Sequence, residues 1–273
     1  MSYSTLMVHL DIEGSNDKRL GVAAQLAERF NSRVIGVTAG NIQPLYFLDG
    51  DAAQTFLEKD RALLGEQFGA CEKQFRSAFA SRVDRIEWRC AIESPGPFVA
   101  REARAADLII VGSKAGAVDP LRCVNPAELV LNAGRPTMVV PDKVEWLKHD
   151  SILVAWKDTR EARRAINDAL PLLHQAKGVV VLELVEESTD REAAEARVKD
   201  VAAWLARRGI QTSSIVTKAL VAVPDQLAML AQDEGANVIV AGAYGHTRFQ
   251  EWVFGGVTRG LLQQQKCAML LSH

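Results

Sequence analysis

The chain is poor in cysteine and histidine, and it arranges neither as a metal site would. Cys71, Cys90, Cys123 and Cys267 form no C-x-x-C pair, and none stands beside a histidine at zinc-ligand spacing. They read as four reduced thiols, mostly in cores or helices. His9, His149, His174, His246 and His273 are dispersed, and only His246 lies in a glycine-rich context. Charge of one sign is also lacking. The formal net charge is −2, so no global basic field draws the chain to nucleic acid or to an anionic membrane. No apolar run approaches the ~20 residues of a membrane span. The opening MSYSTLMVHLDIEGS has neither the basic nor the apolar region of a secretory signal, and a cytoplasmic protein is expected. Trp88, Trp146, Trp156, Trp204 and Trp252 are too scattered for base stacking. G-x-S-x-G, H-E-x-x-H and a Gly-Lys-Ser/Thr phosphate loop are all missing, so no catalytic residue and no metal ligand is assigned.

What is present is a repeat. The 273 residues suit two domains of about 130–150 residues. ADLIIVGS at 106–113 resembles ANVIVAGA at 236–243. Each copy closes on a second short apolar run, PTMVV at 136–140 and CAMLL at 267–271. Each opens on a third, LMVHL at 6–10 and ILVAW at 152–156. The opening runs lie further apart than the ADLIIVGS-like pair, so the first copy carries an insertion. NIQPLYFLDGDAAQ, within 41–69, has no counterpart in the second copy.

Both copies read as alternating strand and helix. In the second, strands are expected at 151–156, 179–185, 211–217, 237–241 and 267–271. Helices are expected at 160–175, 189–208, 225–234 and 255–265. In the first, strands fall near 5–10, 33–38, 85–91, 107–111 and 137–140. A long helix spans 52–82, with Gly65 and Gly69 as candidate break points. The order predicts an α/β fold of doubly wound parallel five-stranded sheets, with ligands at the carboxyl ends of the strands. The charged stretch PDKVEWLKHD at 141–150 is the expected linker, dividing the chain into domains 1–143 and 150–273.

GAYGHTRFQEWVFGGVTRG at 242–260 carries five glycines after a predicted strand and before a predicted helix. Gly242 and Gly245 let backbone N–H groups approach a phosphate. Gly255, Gly256, Val257 and Thr258 stand where the helix begins and donors are free. His246, Arg248 and Arg259 add donors, and residues 244–254 could cover the site. A plain turn is the competing reading. Asp225, Asp233 and Glu234, like Arg160, Arg163 and Arg164, read as solvated helix faces.

The pattern Gly242-x-x-Gly245, nine residues, then Gly255-Gly256-Val257-Thr258 resembles the ATP-binding signature of universal stress proteins. The two-copy layout resembles that family too. The resemblance implies a tandem universal stress protein of adenine nucleotide alpha hydrolase-like fold. It implies a stress-response regulator that binds ATP, with or without Mg2+, in its second domain. Gly242, Gly245, Gly255, Gly256 and Thr258 would meet triphosphate and ribose, with Val257 donating from its backbone. Ala155, Trp156 and Lys157 would line the adenine, and Leu184 would meet the base. Two positions depart from the family pattern: Gly256 stands where Ser or Thr is common, and Lys157 where Asp is usual. In the first copy Ala115, Asn125 and Pro126 replace glycines, and proline lacks the N–H donor, so no ATP is expected there although Asp11 keeps the acidic position. That copy would pack on the second as an intramolecular counterpart of a dimer, with a homodimer of chains as a further arrangement. A nucleotide acting as a conformational ligand with little turnover is the first expectation. An interaction protein without nucleotide is the second, and a slow ATPase the third.

Overall fold

The fold is that of a computed structural model, which describes residues 2–43, 50–80, 83, 85–113, 119, 121–147, 150–186, 190–244, 256–264 and 266–273. The first half contains β1 Thr5–His9, α1 Asp17–Phe30, β2 Arg33–Ala39, α2 Asp51–Phe79, β3 Ile86–Ala91, α3 Pro95–Glu102, β4 Leu108–Gly112, α4 Pro126–Asn132 and β5 Thr137–Val140. The second contains β6 Ser151–Ala155, α5 Arg160–Leu173, β7 Gly178–Val185, α6 Arg191–Ala206, β8 Thr212–Lys218, α7 Val223–Asp233, β9 Ala236–Gly242, α8 Gly256–Gln263 and β10 Ala268–Ser272.

The ten strands form one sheet in the order β3-β2-β1-β4-β5-β10-β9-β6-β7-β8. Each half therefore has the same internal order, and within each half every neighbour is parallel. The halves join where β5 and β10 pair antiparallel, Met269 opposite Val139. The two expected five-stranded sheets are thus continuous through this pair. Strands such as Leu6-Met-Val and Leu153-Val are fully buried, as a sheet covered on both faces requires. One face packs under α1, α2, α5 and α6, and the other under α3, α4, α7 and α8. Strand order reverses between β1 and β4, and again between β6 and β9, which sets a crevice at the carboxyl edge of each half.

Local chemistry accounts for the helices. The Thr159 side chain caps α5 by accepting from Ala162 N at 3.3 Å, and Ala162, Ala165, Ile166, Ala169, Leu170 and Leu173 form its buried stripe. Asp190 caps α6 by accepting from the N–H groups of Glu192 and Ala193. The long helix α2 runs 29 residues without a break. Gly65 and Gly69 face open space, while Leu64, Phe68, Cys71, Phe75 and Phe79 hold the opposite stripe against the sheet. Packing of that stripe overrides the ~1 kcal/mol that each glycine costs a helix. The insertion detected in the sequence lengthens this helix at its amino end: α2 has 29 residues where its counterpart α6 has 16.

Two apolar residues of the expected linker pack into the core. Val144 and Leu147 are buried. The Gln25 side-chain amide donates to Leu147 O at 2.8 Å and accepts from Leu147 N at 2.9 Å. Across the halves, the Tyr3 hydroxyl donates to Asp168 O at 2.7 Å.

Candidate functional site

In the second half, Ala155 at the end of β6 lies opposite Ala241 of β9 and Leu182 of β7. Ala155, Leu184 and Tyr244 all pack against the core on the α7/α8 face, and all three are only partly buried. Gly242 closes β9 beside them, also partly exposed. The structure thus brings Ala155, Leu184 and Gly242 together at one carboxyl edge. Gly256, Val257 and Thr258 form the first turn of α8, and Thr258 is buried. Gly245, His246 and Gly255 lie outside the described residues.

Trp156 does not join this group. Side chains alternate along a strand, and the Trp156 ring packs in the core under α5 and α6, on the other face of the sheet. Lys157 is exposed in the turn that leads to α5, where its carbonyl accepts from Thr159 N at 2.7 Å. Beside it, Asp158 pairs with Arg163 at 2.5 Å on the surface.

Gly242 lacks a side chain for a reason the sequence did not disclose. A Cβ there would lie 2.5 Å from Ala162 N and 2.6 Å from the Glu161 carbonyl carbon. The first turn of α5 occupies that space, so this glycine permits close helix–strand packing. Gly260 does the same for α8 against Pro224, where a Cβ would come within 2.4 Å of the proline ring. Glu161 is buried in that first turn and ion-paired to Arg160. Burial works to raise its pKa, but hydrogen bonds from Arg160, from its own backbone and from Thr159 outweigh this and hold the carboxyl below its usual value.

The corresponding crevice of the first half is filled. His9 ends β1 where Ala155 ends β6, and it is 1% exposed. Arg19 is the third residue of α1, as Ala162 is of α5. Its guanidinium donates to Asp11 Oδ2 at 2.6 Å and to His9 O at 3.2 Å, and a Cβ on Gly112 would meet it at 2.2 Å. Further contacts cross the carboxyl edge of this half. Asp60 of α2 accepts from Arg122 at 2.6 Å and from Gln43 N at 3.0 Å, and Asn41 N donates to Leu121 O at 2.7 Å. Sequence reasoning missed Arg19, Asp60 and Arg122. For Arg19 and Asp60 the available signal was a charged residue within an otherwise apolar helix stripe; Arg122, in a turn, carried none.

Tyr244 was also missed. It holds φ +60°, unusual for a residue with a side chain, and its hydroxyl is buried without a partner among the described residues. Burial first, and the Glu128 carboxylate of α4 second, push its pKa up to about 12. Its ring meets His273 edge to face at 6.2 Å. Among the described residues no group of acidic, cysteine or histidine side chains could hold a metal, and no helix is long and apolar enough to cross a membrane.

The doubly wound sheet with a crevice at each point of strand reversal defines an open α/β protein with a ligand-type edge. The sequence model of the universal stress protein family matches residues 148–273, somewhat less than half of the chain. A search of curated proteins finds no match. A universal stress protein from Archaeoglobus fulgidus DSM 4304 superposes with TM-score 0.74 at 13% identity, over 98% of this chain and 95% of that one. A structure described as a putative universal stress protein, from Pseudomonas aeruginosa UCBPP-PA14, superposes with TM-score 0.66 at 16% identity, over 99% and 93%. A functionally unknown protein from Pseudomonas aeruginosa PAO1 gives TM-score 0.60 at 16% identity, over 99% and 92%. At these identities the likeness concerns the fold, and it spans both halves.

Proposed function

We propose that the second half, within a domain of residues 150–273, binds an adenine nucleotide, ATP with or without Mg2+, and that the first half, residues 1–143, binds none. The observation that carries this reading is the contrast between the two crevices. Ala155 and Ala162 stand in the second half where His9 and Arg19 fill the first. Ala155 and Leu184 then offer a small apolar wall to the base. The first turn of α8, with Gly256, Val257 and Thr258, offers backbone N–H donors to phosphate oxygens, completed by Gly245, His246 and Gly255. Lys157, exposed at the end of β6, suits a phosphate better than a base, because an ammonium donates only. Trp156 supports this wall from behind.

The nucleotide would serve as a conformational ligand in a cytoplasmic stress response, with little or no turnover. An interaction protein without nucleotide is the second reading. It is favoured by Lys157, which stands where the first half has Asp11. Calorimetry with ATP decides between them: saturable binding of one nucleotide per chain is expected. No heat at millimolar ATP with a folded chain would leave the second reading. In Ala162→Arg, which copies the residue that fills the first crevice, affinity should fall at least ~10-fold, equivalent to about 1.4 kcal/mol, with the circular dichroism spectrum retained.

A further inference from the structure

Behind the candidate site, on the opposite face of the sheet, three polar atoms are buried without partners. They are Trp156 Nε1, Glu183 Oε2 and Arg197 Nε, and none has a hydrogen-bond partner among the described residues. Trp156 and Glu183 are 8% and 7% exposed. The register sets two of the three residues on neighbouring chain segments. Ala155 lies opposite Leu182, so the next residues, Trp156 just past β6 and Glu183 within β7, are neighbours. Adjacent strands are ~4.8 Å apart, and both side chains point to the α5/α6 face. Arg197 reaches down from α6 and donates from Nη2 to Glu183 Oε1 at 2.6 Å, which leaves Oε2 and Nε open. Ser272 Oγ is a fourth partnerless atom in the same row. The first turn of α5 over Gly242 separates it from the other three.

The chemistry of the trio is complementary to one oxygen. The indole and the guanidinium Nε are donors only, and the carboxylate oxygen is an acceptor only. An O–H group accepts from two donors and donates once. Buried polar groups that lack a protein partner are commonly satisfied by an ordered water making about three hydrogen bonds. We propose that Trp156, Glu183 and Arg197 form a site for a single hydroxyl oxygen, taken by water. The bound oxygen would fasten the end of β6 to β7 and α6, one residue before Lys157. The hydroxyl of a small solute has the same chemistry and is the alternative source. The site does not depend on the nucleotide reading.

Nuclear magnetic resonance on the full chain tests this. The five tryptophans each give one indole N–H signal, and the one lost in Trp156→Phe is that of Trp156. In the wild-type chain after exhaustive dialysis, this proton should show cross-relaxation to a long-lived water. Cross-relaxation to a carbon-bound proton of an added polyol instead would assign the hydroxyl to a solute. Neither contact would overturn the proposal. So would a crystal structure in which Nε of Arg197 or Nε1 of Trp156 bonds directly to Glu183 Oε2. In Glu183→Met the water contact should be lost; if that variant does not fold, the wild-type measurement still decides.

Discussion

Arg19 Nη2 lies 2.6 Å from Asp11 Oδ2, and each side chain is 5% exposed. This pair occupies the point of strand reversal in the first half, and it makes a direct energetic prediction. Arg19→Met alone removes the guanidinium from a buried carboxylate and should cost about 3–5 kcal/mol in urea unfolding. Asp11→Leu alone should cost a similar amount. The double variant should recover most of the loss, because apolar replacement of a buried pair is often near neutral. Additive losses would show that the two side chains act separately.

Glycines at Gly242 and Gly65 should respond oppositely to the same change. Gly242→Ala drives a methyl group into the backbone of α5 and should destabilise by about 1–3 kcal/mol. Gly65→Ala adds a methyl group to an open helix face and should stabilise by about 0.5–1 kcal/mol. Thermal or urea unfolding of the two variants checks both signs.

The phenol of Tyr244 is held up to about 12 by burial and by Glu128, and burial also raises that of Tyr3. A phenol whose folded pKa exceeds its unfolded value of about 10 favours folding fully below that pH. Its contribution is lost as pH rises from about 10 towards about 12. Stability should therefore fall across this alkaline window, less steeply in Tyr244→Phe. Phenolate absorbance of the folded chain should likewise lose a component near pH 12 in that variant; a component lost near pH 10 would contradict the assigned burial.

Thiol reactivity should single out one cysteine. Cys71, Cys123 and Cys267 are buried, and Cys90 is exposed on β3, an edge strand. Burial pushes the Cys71 and Cys267 thiols up to about 11. A disulfide reagent at neutral pH should label Cys90 quickly and the other three only on unfolding. Fast labelling of a second site in Cys90→Ser would mark local opening of the core.

Asp190 holds two N–H groups at the start of α6. Asp190→Ala should cost about 0.5–2 kcal/mol, measured by urea unfolding. Asp190→Asn should recover most of that loss.

Much of the architecture was legible because periodicity and repetition are written locally. The runs at 106–113 and 236–243 become β4 and β9, and the insertion emerges as the extended amino end of α2. The antiparallel meeting of β5 and β10 was not legible, because no local signal states which edge strands pair. Trp156 was grouped with Ala155 although strand alternation alone puts neighbours on opposite faces. Gly242 was read as letting the backbone approach a phosphate, and the structure adds a second reason for it, since a neighbouring helix takes the place of its side chain. A sequence names the missing side chain but not what fills its place. Arg19 escaped notice for the converse reason: a long cation reads as solvent-facing until a buried acid is found eight residues earlier in the chain.

The pairing of Met269 with Val139 is made within one polypeptide. Two strands held on one chain meet at a fixed effective concentration, however dilute the protein becomes. Dilution therefore cannot part the two halves. The union of unlike halves does not depend on protein concentration, and every molecule carries the same asymmetry at any abundance.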